Sequence, residues 1–350
     1  MHVLLYEHFC SGGLAGRPLA AGLLTEAAAM LRALAEDFQA TGHTISVLLD
    51  ERLAWPLPGR MVPVAAASPG QAVAALDRSL AEADAALVVG PETDGLLPAT
   101  IARVERAGVV NLGSPSGTVG AVSDKHALGA RLAARGVRTP AGLLGLGAAA
   151  ALLAEHGELV IKPNRGAGCV DTFLCRSPAD LAGLPQRSDW LVQPRIAGIA
   201  ASVAFVVPRC GPPIALRAGT QAVRLGSGEA ALPGRFTYSG GRLPLDEDLE
   251  ARAIRLGLEA LRHLPGLHGF VGIDLVLGAT PADDTLIEVN ARPTVAYVGL
   301  RRLARFLIPD LILGTPTQVA WRPGSVHYRS DGGLQPSSAA DQPAPGPCGH

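Results

Sequence analysis

Lysine is nearly missing from this sequence: of 30 basic residues only Lys125 and Lys162 are lysine. Asparagine is almost as scarce, at Asn111, Asn164 and Asn290. The formal charge is only -1, so there is no global field for gripping a phosphate backbone, and no basic patch stands out. Five cysteines without C-x-x-C spacing exclude a disulfide framework or a zinc cage of the usual kind and point to a reducing compartment. The nine histidines show no H-x-x-x-H spacing, and Pro115 occupies the nucleophile position of the one near match to G-x-S-x-G. No Gly precedes either lysine, so the Walker phosphate loop is absent. The uncharged stretch 141–154 falls short of the roughly 20 residues a membrane span needs, and MHVLLYEHFC meets Glu7 without the basic start of a secretory signal. The expectation is a cytoplasmic protein that binds neither nucleic acid nor membrane.

What is present is a chain rich in Ala, Gly, Pro and Arg, 48% hydrophobic over 350 residues, long enough for two or three domains. Strand and helix patterns alternate at the start: a strand over 2–6, a helix over 26–40 with Met30, Leu31, Leu34 and Phe38 on one face, a strand over 44–49, a proline-broken loop, a helix over 71–82 and a strand over 85–89. That order predicts a parallel sheet covered by helices. Beyond it lie a smaller α+β stretch and then strands over 190–193, 202–207, 214–218, 270–277 and 286–290, interrupted by a helix over 248–263. The expected divisions are 1–115, 116–190 and 191–322, followed by a Gly/Ser/Pro/Ala-rich tail over 323–350 that reads as disordered.

Three segments carry chemistry. In 269–293, two apolar strands flank a turn near Pro281, and equal steps place Asp274 across from Glu288. Asn290 falls on the face of Glu288, giving an oxygen-only set of the kind Mg²⁺ prefers; a solvated hairpin face is the plainer alternative. In 159–173, an apolar strand presents Lys162 ahead of Gly166 and Gly168, whose amides can approach anionic oxygens closely. In 123–140, Ser123 is the expected N-cap of a helix carrying Lys125 in its first turn. A cation there opposes the helix macrodipole, so a nearby phosphate explains it better than helix stability does. Where arginine serves as the general cation, a retained lysine marks a place for a compact ammonium.

In order and spacing, the segments over 122–302 resemble the ATP-grasp superfamily, ligases that join a carboxylate to an amine through an acyl phosphate. The resemblance implies an α/β fold, with an N-terminal Rossmann-like pre-ATP-grasp domain followed by a two-lobed α+β ATP-grasp domain. It implies ATP as cosubstrate with Lys125 and Lys162 on its phosphates, Gly166 and Gly168 in the flap, and Gln193, Arg195 and Ile196 in the inter-lobe hinge at adenine. Asp274, Glu288 and Asn290 would hold two Mg²⁺, with Mn²⁺ as a substitute, and Arg292 would act with Lys162 on the transferred phosphoryl group. The hinge often carries Glu where Gln193 stands, and the ribose-binding carboxylate expected near Ala200 is missing. Small-molecule carboxylate and amine substrates and a homodimer are further implications.

YEHFCSGGLAG near the start, 90–95 (GPETDG) and 236–241 (FTYSGG) look like the tyramine-glutamate ligase group of methanofuran-type cofactor biosynthesis. That narrower likeness implies the L-glutamate γ-carboxyl as acid and tyramine or a tyrosine-like amine as acceptor, with Arg217, Gln221 and Tyr238 as candidate substrate contacts. Another amino-acid or poly-glutamate ligase, or an ATP-binding regulator without turnover, remains open on the same residues.

Overall fold

The computed structural model of the protein describes residues 1–19, 21–53, 55–65, 67–226 and 232–336. It begins with β1 (His2–Glu7), α1 (Ala21–Ala40), β2 (Thr44–Asp50), β3 (Arg60–Val64), α2 (Pro69–Ala81), β4 (Ala85–Val89), α3 (Leu96–Arg106) and β5 (Val110–Asn111). These strands form one parallel sheet in the order β3-β2-β1-β4-β5. β1 and β4 are buried along nearly their whole length, as strands covered on both faces must be. The stretch read as a proline-broken loop contains β3. Its Pro63 fits because β3 is the sheet edge, where a missing N–H leaves no neighbour unpaired.

The chain continues through α4 (Ser116–Val122), α5 (Lys125–Ala133), β6 (Leu143–Leu144), α6 (Ala149–His156), β7 (Leu159–Pro163), β8 (Phe173–Cys175), α7 (Pro178–Ala182) and β9 (Trp190–Pro194). Then come β10 (Ile199–Val207), β11 (Ile214–Leu225), β12 (Gly234–Leu243), α8 (Glu247–Arg262), β13 (Gly269–Leu277), β14 (Thr285–Asn290), α9 (Ala296–Leu303), α10 (Ile308–Leu313), β15 (Val326–Arg329) and β16 (Leu334–Pro336). Antiparallel pairing runs β14-β13-β10-β11-β12-β8-β7-β9-β6. The small lobe (β6 to β9) therefore continues into the large one through β12 and β8, which share only two register pairs, Gly234↔Leu174 and Arg235↔Phe173.

Two sequence expectations change here. α5 is capped by Asp124, whose carboxylate accepts from the Ala127 N–H at 3.0 Å, whereas Ser123 closes α4 and donates its hydroxyl to the Val119 carbonyl. The expected tail instead supplies β15 and β16: Val326 and Tyr328 are buried, and β15 pairs with β12 from Gly240 to Leu243. The apolar pair Val326/Tyr328 gives that segment the alternation of a half-buried strand, which its surrounding Gly, Ser and Pro obscure. The rest of the tail, 337–350, lies outside the described residues.

The N-terminal unit is tied to the large lobe by a buried polar contact. Asp37 of α1 accepts from the Tyr297 hydroxyl at 2.8 Å and from Arg301 at 2.6 and 3.0 Å, both on α9. Replacing Asp37 with Ala leaves the guanidinium without its main partner, and we expect a loss of about 3 kcal/mol of unfolding free energy. Urea denaturation monitored by circular dichroism checks this; an unchanged midpoint would show that the contact does not hold the two units together.

Candidate functional site

Asn164 organises the cleft. Its side-chain carbonyl accepts from the His126 N–H at 2.9 Å, its amide donates to Asp124 at 3.0 Å, and its own carbonyl accepts from the Lys125 N–H at 3.3 Å. The start of α5 is thereby fastened to the end of β7, which carries Lys162. Both lysines are buried. Lys125 donates to the Gly166 carbonyl at 2.6 Å and lies 3.3 Å from a Glu288 oxygen.

Across the cleft, Asp274 and Glu288 face each other in the β13–β14 register. Asp274 also accepts from Gln221 at 2.8 Å and from Asn290 at 3.1 Å. Burial raises both acids, but the lysines outweigh it at Glu288 and hold that carboxyl down. At Asp274 burial is joined by the charge of Glu288, and the carboxyl is pushed well up. Burial pulls the Lys162 ammonium down while Glu288 supports it.

Two opposed, half-buried carboxyls with an amide beside them fit a hard dication, which oxygen donors alone would meet. Asn290 is essential to that set, because among the described residues no three His, Cys, Asp or Glu side chains are grouped for a metal. Reading the amide the other way round presents its oxygen.

The remaining candidates have partners of their own. Arg292 makes a bidentate pair with buried Glu92 of the N-terminal unit, at 2.8 and 3.0 Å. It is therefore clamped by a carboxylate; the sequence expectation places it on the transferred phosphoryl group. Arg195 pairs with Glu158 at 2.7 Å on the surface, and Gln193 donates to the Pro140 carbonyl at 3.2 Å; Ile196 lies two residues past the end of β9. Arg217 pairs with Glu250 of α8 at 2.9 Å and is not among the groups that meet at Glu288, because α8 supplies its counter-charge. Gln221 does reach Asp274. The Tyr238 hydroxyl meets that of Tyr328 on β15 at 3.4 Å. Gly168, at φ +66° in the flap, lines a second space.

That space is a cavity of about 720 Å³ bordered by Glu7, Glu26, Gly168 and Arg292. Sequence reading singled out none of Glu7, Glu26 or Glu92. Glu7 hides in an apolar strand, and only the juxtaposition of YEHF with GPETDG in one wall gives either segment a role. Asn164 had a usable signal in the rarity of its residue type.

The comparisons bear on family and fold. A family model described as an ATP-grasp domain matches residues 122–296, and one described as a pre ATP-grasp domain matches 43–119. No curated protein matches. Among solved structures, a protein from Archaeoglobus fulgidus described as belonging to the ATP-grasp superfamily aligns over 94% of this chain and 92% of its own, at 22% identity and a TM-score of 0.70. An L-amino acid ligase from Bacillus licheniformis aligns over 91% of this chain and 74% of its own, at 15% identity and a TM-score of 0.63. The biotin carboxylase domain dimer of Hydrogenobacter thermophilus 2-oxoglutarate carboxylase, solved with MgADP, aligns over 93% and 73%, at 13% identity and a TM-score of 0.67. At these identities the likeness concerns the fold.

Burial raises the Glu7 carboxyl from its ordinary 4.5 to about 7. A folded-state value above the unfolded one favours folding fully below about pH 4.5, and the contribution is lost as pH rises through about 7. We expect Glu7→Gln to flatten the fall in stability over that window, read from urea midpoints at a series of pH values; a slope identical to that of the unsubstituted protein would refute the assignment.

Proposed function

Because the chain belongs to the ATP-grasp family, we propose that it is an ATP-dependent carboxylate-amine ligase that forms an amide and releases ADP and phosphate. The observation that carries this reading is the convergence of Lys125 and Lys162 on Glu288, opposite Asp274 and Asn290, at one cleft between the lobes. Two compact ammoniums gathered about one carboxylate are suited to the β- and γ-phosphates of ATP. The amides around Gly166 and Gly168 close over the same region and keep water from a reactive acyl group. Asp274, Glu288 and Asn290 would hold Mg²⁺, two ions on the family resemblance, and the metal supplies charge neutralisation at the phosphate oxygens.

In this reading a substrate carboxylate oxygen bonds to the γ-phosphorus as the bond to ADP breaks, and Lys162 and Lys125 stabilise the equatorial oxygens. Arg292, kept rigid by Glu92, adds positive charge at the side of the cleft facing the N-terminal unit. An amine nitrogen then bonds to the acyl carbon, phosphate leaves with the bonding pair, and the amine loses a proton. The similarity of YEHFCSGGLAG, GPETDG and FTYSGG to the tyramine-glutamate ligases supports the γ-carboxyl of L-glutamate as acid and tyramine or a related amine as acceptor. The printed name of the Bacillus relative, an L-amino acid ligase, is in keeping with an amino-acid substrate.

ADP release by the purified protein with ATP, Mg²⁺, L-glutamate and tyramine, with mass spectrometry of the products, tests the reading. We expect amine-dependent ADP and a γ-glutamyl amide. Glu288→Gln, which removes the counter-charge of both lysines, is expected to lower turnover by at least about 100-fold with the far-UV spectrum unchanged. Normal turnover in that variant would remove Glu288 from the site.

A further inference from the structure

Arg292 stands between the two units. It lies two residues past β14, the strand that carries Glu288 and Asn290, and it borders the 720 Å³ cavity of the N-terminal unit. A guanidinium has five N–H donors, arranged on edges that can each hold an anion through two bonds. The inner edge, Nε and Nη2, donates to Glu92 at 2.8 and 3.0 Å, and Nη1 donates to the Pro293 carbonyl at 3.3 Å. Three of the five N–H groups are engaged in this way. The two left over, one on each terminal nitrogen, are the outer edge, which matches two oxygens of a phosphoryl group.

Glu92 is held as firmly as the arginine it binds. The backbone closes around it, with the Gly95 N–H donating to the Glu92 carbonyl at 3.3 Å and the Leu97 N–H to the Pro91 carbonyl at 3.2 Å. Asp94 at φ +52° and Gly95 at φ +70° take the left-handed conformation that this turn requires. Pro91, Thr93 and Asp94 line the cavity, whereas Glu92 is 4% exposed and meets Arg292. The GPETDG segment thus gives its neighbouring side chains to the cavity and one carboxylate to the arginine beside the cleft.

Other acids compete for the same cation. The charges of Glu26 and Glu288 also act on Arg292, and a buried guanidinium stripped of its bidentate partner is driven towards whatever anion remains. Pairing with Glu288 would crowd a third cation onto the carboxylate that Lys125 reaches at 3.3 Å and would cover the outer edge.

We propose that Glu92 is a positioning residue for phosphoryl transfer: from the N-terminal unit it holds Arg292 off Glu288 with the outer edge free, and it acts on the chemical step rather than on nucleotide binding. The proposal deepens the ligase reading above and rests on it for the step concerned. A unit that supplies neither lysine and none of the Asp274–Glu288–Asn290 set governs turnover through one carboxylate.

The test is a double-substitution cycle on the full-length protein, with Glu92→Gln, Arg292→Lys and the two together. Calorimetry reads the affinity for Mg·ADP and then, in the Mg·ADP complex, for orthovanadate as a stand-in for the phosphoryl group; ADP release is assayed with L-glutamate and tyramine. Glu92→Gln is expected to lower kcat by about 100-fold and to weaken vanadate by about tenfold or more, while the Mg·ADP affinity stays within about threefold. In the Arg292→Lys background the same change is expected to cost less than about twofold, because the group it acts through is gone. Glu92→Asp keeps the charge on a shorter arm; it is expected to lower kcat by about tenfold with the ATP KM unchanged, and it carries the cycle if Glu92→Gln does not fold. Equal losses with and without the Arg292 substitution, a fall in Mg·ADP affinity that matches the fall in kcat, or vanadate bound no better by the unsubstituted complex than by the variant would each overturn the proposal. Vanadate weakened in Glu92→Gln, without amine-dependent ADP release by the unsubstituted protein, would uphold the positioning and sink the ligase reading. Amide formation at an equal rate in Glu92→Gln would do the reverse.

Discussion

Everything at the cleft depends on how the negative charge of Glu288 is shared. Two ammoniums that would otherwise repel each other in a buried place are held together by that one carboxylate, whose charge in turn pushes the Asp274 carboxyl up. Removing the acid leaves two uncompensated cations out of water, and removing either lysine leaves an acid pair with less to oppose it. The lysines face anionic phosphate from one side and the acid pair faces metal from the other, so each ligand replaces a charge the protein already balances internally. A site of this kind is organised before its ligands arrive.

The backbone makes that sharing possible. Asn164 fastens the first turn of α5 to the end of β7 through three hydrogen bonds, and the β13–β14 register sets Asp274 against Glu288. Arg292, two residues past the strand that carries Glu288 and Asn290, reaches across to Glu92. The nucleotide cleft and the cavity of the N-terminal unit thus share a wall whose charge is fixed by a residue from each unit.

How much of this was legible in the sequence follows from whether the determining interactions are local. The opposition of Asp274 and Glu288 is a property of one hairpin and can be read from its spacing; the two lysines stand out against an arginine-rich background. The alternating strand and helix periods likewise define the parallel sheet. β3 is missed because Pro63 masks an edge strand, and β15 because its two buried residues lie among loop-forming ones. Glu92 and Glu250 determine what Arg292 and Arg217 do, yet they lie 200 and 33 residues away in sequence, beyond the reach of any periodicity. The cavity acids are hidden for the same reason: Glu7 becomes unusual only when α1, α2 and the flap are folded around it.

The junction between the two lobes is also mechanical. Only the pairs Gly234↔Leu174 and Arg235↔Phe173 carry the sheet from β12 into β8, whereas β12 and β11 are joined along most of their length. A shear applied between the lobes concentrates at this narrow seam, because the ladders on either side of it, β11–β12 and β8–β7, are longer. The small lobe is therefore a leaf sewn to the large lobe by a short stitch, and amide hydrogen exchange across Phe173 and Leu174 would report its flexing.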